Sequence, residues 1–570
     1  MTLSEYLVQY LYKKGITHIF ELTGGMVANF LNAFYQFEKI KVVTMHHEQA
    51  VSFATDGFAR ISNLPGVAFA TSGPGAINLL TGIGNCYFDS VPAVFITGQV
   101  NSYEQKGDRN VRQFGFQETD ILSMAKPICK AVFEVKSAQE FPAIIEEAFK
   151  VALSGRPGPV LIDVPMNFQK VEITEIDFSE PKVELIEKKY LSDINWDLLN
   201  EKLNSSKRPL ILAGRGIQVS ASKNLLINFA EKNGIPIVTS LHALDVIPYN
   251  HPLRVGFIGT YGNRWSNILI GESDLIIVLG SRLDIRQTGA NVDFFSNRTI
   301  FHIDIDSNEI NNRIKNCYAI VEDINIFLTN ALEKVNIIPT TNWDSWYDEI
   351  NASKVKYPDD KETDNVMGIN PNSFMHLLSR HSDKAGAFLA DVGNHQMWCA
   401  QSLELNMDQY FLSSGGMGAM GYCLPAAIGA CFALNKPVVS ISGDGGFQLN
   451  IQELQTIVRN RLPIKIVVIN NKSLGMIRQF QESYFDCNYQ SSIWGYSCPD
   501  FEKVANSYNI KAKTISEIDE IEDGLVELWS NPYEPFLLQV MIDTHINCYP
   551  KIAFGKPLTE MEPTSKPIEL

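Results

Sequence analysis

Short apolar runs alternate with amphipathic stretches along most of the chain, and many runs end in glycine, serine or an acid. Val438-Val439-Ser440-Ile441-Ser442 reads as a buried strand that Gly443-Asp444-Gly445-Gly446 breaks. Leu449, Ile451, Leu454, Ile457 and Val458 then fall on one helical face, and Ile464-Lys465-Ile466-Val467-Val468-Ile469 resumes a strand that runs into Asn470-Asn471. In a parallel sheet, the turns at Asp444 and at Asn470-Asn471 both leave the carboxyl edges of their strands. Open α/β sheets bind ligands at that edge.

The same alternation begins at the N-terminus. Thr2-Leu3-Ser4-Glu5 offers a capping box, and Leu3, Tyr6, Leu7, Tyr10 and Leu11 repeat at helical spacing until Gly15. A strand over 16–20, a Gly24-Gly25 turn and a second helix follow, and the pattern closes at Val160-Leu161-Ile162-Asp163-Val164-Pro165. Residues 171–190, rich in Glu, Lys and Asp, predict a linker. A second α/β stretch begins at Pro209-Leu210-Ile211-Leu212-Ala213, with further strands predicted over 235–238, 275–279 and 300–304. Residues 338–368 are again polar with prolines and predict a second linker. Strands alternating with helices imply parallel sheets covered on both faces. The predicted architecture is therefore three doubly wound α/β domains over 1–170, 188–337 and 368–545, with a Pro-rich tail over 546–570.

Composition narrows function more than fold. A chain of 570 residues exceeds a single core, and 45% apolar with 20% charged residues is globular composition. A net charge of −16 argues against a nucleic-acid partner. The nine cysteines show no paired spacing, so they read as reduced thiols of a cytoplasmic protein, not as a disulfide or zinc framework. No signal-peptide pattern opens the chain, and no apolar run reaches the roughly 20 residues of a membrane helix. A soluble protein is expected.

The candidate chemistry lies at the glycine turns. Asp444 and Asn471 offer a carboxylate and an amide oxygen, hard ligands suited to octahedral Mg²⁺ that a backbone carbonyl, phosphate oxygens and water would complete. Gly443, Gly445 and Gly446 let the backbone approach a diphosphate. An ordinary βαβ unit explains the glycines but does not require Asn470-Asn471 at that distance. In His46-His47-Glu48-Gln49-Ala50, Glu48 follows the run Lys41-Val42-Val43-Thr44-Met45 and opens a helix, again at a carboxyl edge. Taken alone, it is also the acid that complements a helix dipole.

The spacing from Asp444 to Asn471 resembles the thiamine-diphosphate (ThDP) signature. Other segments are similar, in the same order, to the acetolactate synthase branch of ThDP enzymes, and the resemblance runs nearly end to end. They are 21–25, His47-Glu48-Gln49, 71–75 with Asn78, 96–100, 116–120, 155–160 and 413–422. This resemblance implies a first domain for the aminopyrimidine, a third for the diphosphate, and active sites shared between subunits of a homodimer or homotetramer. It implies that Glu48 protonates the pyrimidine and that Met420 wedges the cofactor into a bent shape. Val392, Gly393, Asn394, His395, Gln396, Gly418 and Met476 would line the cofactor, and Asp444, Asn471 and the Ser473 main-chain carbonyl would hold Mg²⁺. Gly25, Phe116, Gln117, Lys130 and Phe480 would line the substrate site.

In the middle domain, Gly214-Arg215-Gly216 follows a strand but lacks a third glycine. The segments 256–260, 280–289 and 302–306 resemble the FAD-binding parts of acetolactate synthases. That likeness implies a redox-silent flavin held by Gly214, Gly216, Ser240, Leu241, Gly256, Phe257, Gly280, Arg282, Asp284, Arg286, Asp304 and Asp323. Departures from the branch cluster around substrate and flavin: Phe480 stands where a Trp is usual, Leu22-Thr23 replaces Tyr-Pro, Met166-Asn167 replaces Lys-Asp, and Asp284-Ile285-Arg286 replaces Asp-Asp-Arg. The expected function is a ThDP- and Mg²⁺-dependent carboligase, a transferase that decarboxylates pyruvate and passes the two-carbon unit to a second carbonyl. A 2-oxo acid acceptor gives an acetohydroxy acid. The segment 555–563 is similar to tails of carboligases whose acceptor is a nucleotide-linked ketosugar, so that acceptor stands as the alternative. A decarboxylase releasing an aldehyde, or a silent regulatory homologue, is the weaker alternative. The silent homologue would be expected to have lost Glu48, Asp444 or Asn471, and all three are present.

Overall fold

The computed structural model of the protein describes residues 1–173, 193–338, 342–363 and 366–568. The capping box forms as its spacing predicts. Thr2 caps the helix Leu3–Lys13, and its backbone N–H donates to the Glu5 carboxyl at 2.7 Å; such a cap contributes about 1 kcal/mol.

Three six-stranded parallel sheets follow one another along the chain. The first contains β1 His18–Leu22, β2 Lys41–Thr44, β3 Gly66–Ala70, β4 Ala93–Gln99, β5 Ala131–Glu134 and β6 Pro159–Pro165. Its order is β2-β1-β3-β4-β6-β5. The second contains β7 Pro209–Ala213, β8 Ile237–Thr239, β9 Arg254–Phe257, β10 Leu275–Leu279, β11 Thr299–Asp304 and β12 Tyr318–Val321, in the order β12-β11-β10-β7-β8-β9. That is the strand order of a dinucleotide-binding fold. The third contains β13 Ala387–Ala390, β14 Tyr410–Ser413, β15 Val438–Gly443, β16 Ile464–Asn470, β17 Lys511–Ile515 and β18 Phe536–Met541. Its order, β14-β13-β15-β16-β18-β17, repeats that of the first sheet. Every residue of β4, β6, β10, β15 and β16 is buried, which is why these strands read as continuous apolar runs.

The structure departs from the pattern-based reading in two places, the helix after Asp444 and the second predicted linker. The helical face after Asp444 is split into Asp444–Leu449 and Leu454–Asn460, and Leu449 is half exposed. Asn450 causes the break by donating its amide to Gly421 O at 2.8 Å. The predicted linker over 171–190 lies mostly at 174–192, outside the described residues. Within the second predicted linker, Asp344–Lys356 is a helix, and Trp343, Trp346 and Ile350 sit in the middle-domain core. The segment reads as polar because the two indole N–H groups face carbonyls, those of Ser206 and Pro209.

The C-terminal segment is also packed. Ile552, Leu558 and Met561 enter the middle-domain core, and the short strands β19 Lys551–Ile552 and β20 Met561–Glu562 pair antiparallel. Arg264 clamps this segment through Met561 O and Glu562 O while pairing with Glu362 at 2.7 Å.

The first and third domains meet through the helices Glu48–Ser62 and Cys423–Leu434. Glycines set their distance: a Cβ on Gly57 would lie 2.1 Å from Ala426 O, and one on Gly429 would lie 1.9 Å from Ala54 O. All nine cysteines are free thiols. Among the described residues, no helix is long and apolar enough to cross a membrane.

Candidate active site

The third sheet changes direction between β13 and β15, and its carboxyl edge there carries the acids and amides singled out from sequence. Asp444 follows β15 and opens its helix; Oδ1 accepts from the Gly445 N–H at 3.0 Å, while Oδ2 is buried with no partner in the protein. Burial pushes this carboxyl up to about 6. On one side, after β13, both amide atoms of Asn394 are likewise buried and unpartnered. On the other, after β16, Asn471 Oδ1 accepts from the Ser473 N–H at 3.1 Å. A Cβ on Gly475 would lie 2.7 Å from Asn471 Nδ2 and 3.0 Å from Asn394 Nδ2, so the two amides flank one glycine. Leaving such groups unsatisfied costs about 1–3 kcal/mol each, more for a charge. A hard cation and a diphosphate supply what the carboxylate oxygen and the amides lack, so the donor set fits both groups. Among the described residues no cluster of three or more His, Cys, Asp or Glu could hold a metal. A one-carboxylate site of this kind is of a different type.

Glycines shape the cradle. A Cβ on Gly446 would meet Asp391 Oδ2 at 2.4 Å, and one on Gly443 would meet the His395 ring at 2.9 Å. The Gly443 N–H donates to His395 Nε2 at 3.1 Å, which makes Nε2 the acceptor and leaves the proton on Nδ1. Burial pushes His395 down to about 3, so the ring is neutral. The Met420 ε-methyl stands 3.4 Å from the Cβ position of Gly445, over the diphosphate turn. Met420 is brought there by a chain segment with left-handed glycines, Gly418 and Gly421. Gln396 belongs to the support of that segment: its amide is spent on Ser413 Oγ and Ser414 O. Val392 donates its N–H to Asp391 at 2.8 Å, and Gly393 caps the helix Asn394–Ser402. Met476, on the helix Gly475–Tyr484, accepts from the Tyr261 hydroxyl of the middle domain at 3.0 Å.

On the first sheet, Glu48 begins the helix that follows β2, capped by His47. Asn78 Nδ2 donates to Glu48 Oε2 at 3.0 Å, and Oε1 would lie 3.2 Å from a Cβ on Gly75. Gln117 takes a left-handed φ of 64° and packs on Gly73 of the same turn. Gly25 opens a short 3₁₀ turn with free space at its Cβ position, and Phe116 is 80% exposed in the single chain. Lys130 is placed elsewhere: its ammonium is committed to Val151 O at 2.6 Å and Ser154 O at 2.5 Å, capping the helix Phe141–Leu153. Phe480 is 50% exposed and its ring lies 4.7 Å from that of Tyr484 at a tilt of 51°; Tyr484 in turn meets Phe554 of the C-terminal segment edge-on.

A cavity of about 740 Å³ lies at the switch point of the middle sheet between β7 and β10, lined also by Phe88 and Arg156 of the first domain and by Met397 and Phe411 of the third, within the usual range for a small-molecule site. Gly216, Ser240, Leu241, Phe257, Gly280, Arg282, Asp284, Arg286, Asp304 and Asp323 all line it. Gly214 packs under it, where a Cβ would lie 2.2 Å from Gly280 O, and Gly256 packs beside Asn263 and Ser266 with φ 154°. Arg282 pairs with Asp284 at 2.9 Å, and burial pushes Asp304 up to about 6. One buried donor on the lining, Arg215 Nε, lacks a hydrogen-bond partner, and His242 Nε2 faces Asp89 Oδ1 at 3.4 Å.

Three segments of the chain match known protein domains. Residues 1–124, 197–331 and 391–540 match the N-terminal TPP binding, central, and C-terminal TPP binding domains of thiamine pyrophosphate enzymes. The chain is 35% identical to the acetolactate synthase large subunit of Lactococcus lactis, over 98% of this chain and 95% of that one. It is 36% identical to the large subunit of Cyanidium caldarium, over 97% and 95%. A probable large subunit of Methanocaldococcus jannaschii is 37% identical over 98% and 94%. The chain belongs to the acetolactate synthase large-subunit family. It is a ThDP-dependent enzyme.

In this acetolactate synthase family member, several site residues escaped the sequence reading. Asp391 gathers the Met420 segment by accepting the Gly421 N–H on both oxygens at 3.0 Å, and burial pushes it up to about 7. An acid closing the apolar run 387–390 is the signal that could have found it. The Tyr496 hydroxyl is buried, lacks a partner, and stands 3.4 Å from the Cβ position of Gly445; nothing in its polar neighbourhood marks it. Asp89 accepts from Arg60 at 2.8 Å and from the Gly416 N–H at 2.7 Å, with His242 at 3.4 Å. These charges hold its carboxyl well below the usual range and tie all three domains together.

Proposed function

We propose that this chain is a ThDP- and Mg²⁺-dependent carboligase that takes the two-carbon unit of pyruvate to a second 2-oxo acid. The observation that carries the reading is the unpartnered, buried Asp444 oxygen among glycines and amides at the carboxyl edge of the third sheet. When bound, ThDP supplies a nucleophilic ring carbon and an electron sink. The chain's own residues do the rest. Asp444, Asn471 and the Ser473 carbonyl hold Mg²⁺ against the diphosphate, with Asn394 and the Gly443–Gly446 backbone as further donors. Met420 supports the bent cofactor. Glu48, with Oε2 fixed by Asn78, exchanges a proton with the pyrimidine through Oε1. We place the complete site between two copies, Glu48 from one and Asp444 from the other. Support comes from the repeated strand order of the first and third sheets and from the exposure of Phe116 and Met417 in a single chain.

A nucleotide-linked ketosugar is the second acceptor to consider, favoured by the open aromatic group Phe480, Tyr484 and Phe554, whose ring faces suit a sugar. Product analysis by NMR with ¹³C-pyruvate, ThDP and Mg²⁺ separates the two. Abundant acetolactate is expected; slow CO₂ release with only traces of it would overturn the 2-oxo acid reading in favour of the sugar.

The middle cavity fits FAD through its strand order, its glycine floor and the unpartnered Arg215 Nε. FAD at ~100 times its Kd should add about 2.7 kcal/mol to folding stability, read as a higher melting temperature of flavin-stripped protein. A melting curve that FAD leaves in place would remove flavin from the reading.

A further inference from the structure

We infer that Asp163, acting through Gln99, is a positioning residue that holds Gln117 against the turn beside Glu48. This rests on the reading that Gln117 faces the substrate. Gln117 is not glycine, yet it adopts a left-handed φ of 64°, a conformation that costs about 1–2 kcal/mol for such a residue. It persists only if its neighbours fix it. Its side adjoining Gly73 is tightly packed: a Cβ on Gly73 would lie 3.1 Å from both Gln117 Cβ and Gln117 O. Gly73 itself has a positive φ of 65°, and two residues on, a Cβ on Gly75 would lie 3.2 Å from Glu48 Oε1.

The other side is held from the buried ends of β4 and β6. Thr97 Oγ donates to Asp163 Oδ1 at 2.7 Å, and Gln99 Nε2 donates to Asp163 Oδ2 at 2.9 Å. The same Gln99 amide donates to Thr119 O at 2.9 Å, two residues after Gln117. Gln99 Oε1 accepts from the Val100 N–H at 3.0 Å, so the amide cannot turn over without breaking that bond. Asp163, Thr97 and Gln99 are all buried, and Thr119 Oγ closes the segment by donating to Gln117 O at 3.5 Å. Glu118 meanwhile accepts from the backbone N–H groups of Lys106 and Phe114, which fixes the outer loop. Asp163 has no contact with the cofactor cradle on the third sheet. A carboxylate accepting two donors in a buried strand end thus fixes which way the Gln99 amide points, and the amide fixes the backbone that carries Gln117.

The test uses the full-length holoenzyme. Asp163→Asn keeps shape but turns one acceptor into a donor: with its NH₂ toward Gln99 the Gln99 amide loses its partner, and with its NH₂ toward Thr97 the hydroxyl reverses to accept, so the direction of the Gln99 amide is no longer fixed by two acceptor oxygens. Expected is a loss of about tenfold in kcat/KM for pyruvate, with ThDP affinity from fluorescence quenching unchanged; a lowered melting temperature is compatible, because the network is buried. Gln99→Leu should give the same split if Asp163→Asn fails to fold. Gln117→Ala is measured alongside, and the double variant with Asp163→Asn should be no worse than Gln117→Ala alone. Additive losses would show that Asp163 acts elsewhere and would overturn the proposal. Normal kinetics in the Asp163 and Gln99 variants with a damaged Gln117→Ala would also overturn it, while leaving the reading of Gln117 intact. Normal kinetics in Gln117→Ala would instead remove that reading, and this proposal with it.

Discussion

Glu48→Gln is expected to bind ThDP nearly as well as the parent and to lose roughly 10²–10⁴-fold in turnover. Glutamine keeps the length of the side chain and can still meet the Asn78 amide, which donates to Oε2 at 3.0 Å. It cannot carry an exchangeable carboxyl proton at the Oε1 position beside Gly75. In the proposed site the diphosphate and its metal are held on a different sheet, at Asp444 and Asn471, so affinity and turnover should separate. Steady-state decarboxylation and a ThDP fluorescence titration on the same preparation read the two quantities. Parent-level turnover in Glu48→Gln would sink the role given to Glu48.

The parts of this site legible in sequence share one property: each follows the carboxyl end of a parallel strand, fully buried for Asp444 and Asn471 and at the sheet edge for Glu48. Asp444, Asn471 and Glu48 stand where apolar runs stop, and parallel topology alone sends such positions to one edge of a sheet. The doubly wound order follows from the same runs. Lys130 shows the limit of that logic. Its position beside a proline-bounded turn says nothing about direction, and the structure spends its ammonium on the carbonyls of Val151 and Ser154 at a helix end. Tyr496 and His242 reach their sites from loops whose path depends on three domains packing together. The C-terminal segment is similar: Ile552, Leu558 and Met561 are spaced by prolines and turns, so no period announces that they are core.

Asp444→Ala should abolish Mg²⁺-dependent ThDP binding. Removing the charged partner of a buried cation costs on the order of 3–5 kcal/mol, more than a hundredfold in the cofactor concentration required. The fold should tolerate the change. Asp444 Oδ1 holds the adjacent Gly445 N–H, and only the Tyr496 hydroxyl and the Cys498 thiol stand by to steady the carboxylate, so alanine relieves a buried charge at the cost of two neutral neighbours. A melting temperature equal to or above that of the parent, with no shift on adding ThDP and Mg²⁺, is the expected pair of results. Undiminished, Mg²⁺-dependent binding would mean that the cation sits elsewhere. The two variants also test whether the site is shared. Chains carrying Glu48→Gln and chains carrying Asp444→Ala are each inactive as pure dimers, but a mixed dimer places both lesions in one site and leaves the other intact. Random pairing of equal amounts then returns about a quarter of parental activity. If each site is built within one chain, every site in the mixture carries a lesion and activity stays at the level of the variants, because no exchange of partners can bring an intact Glu48 and an intact Asp444 together.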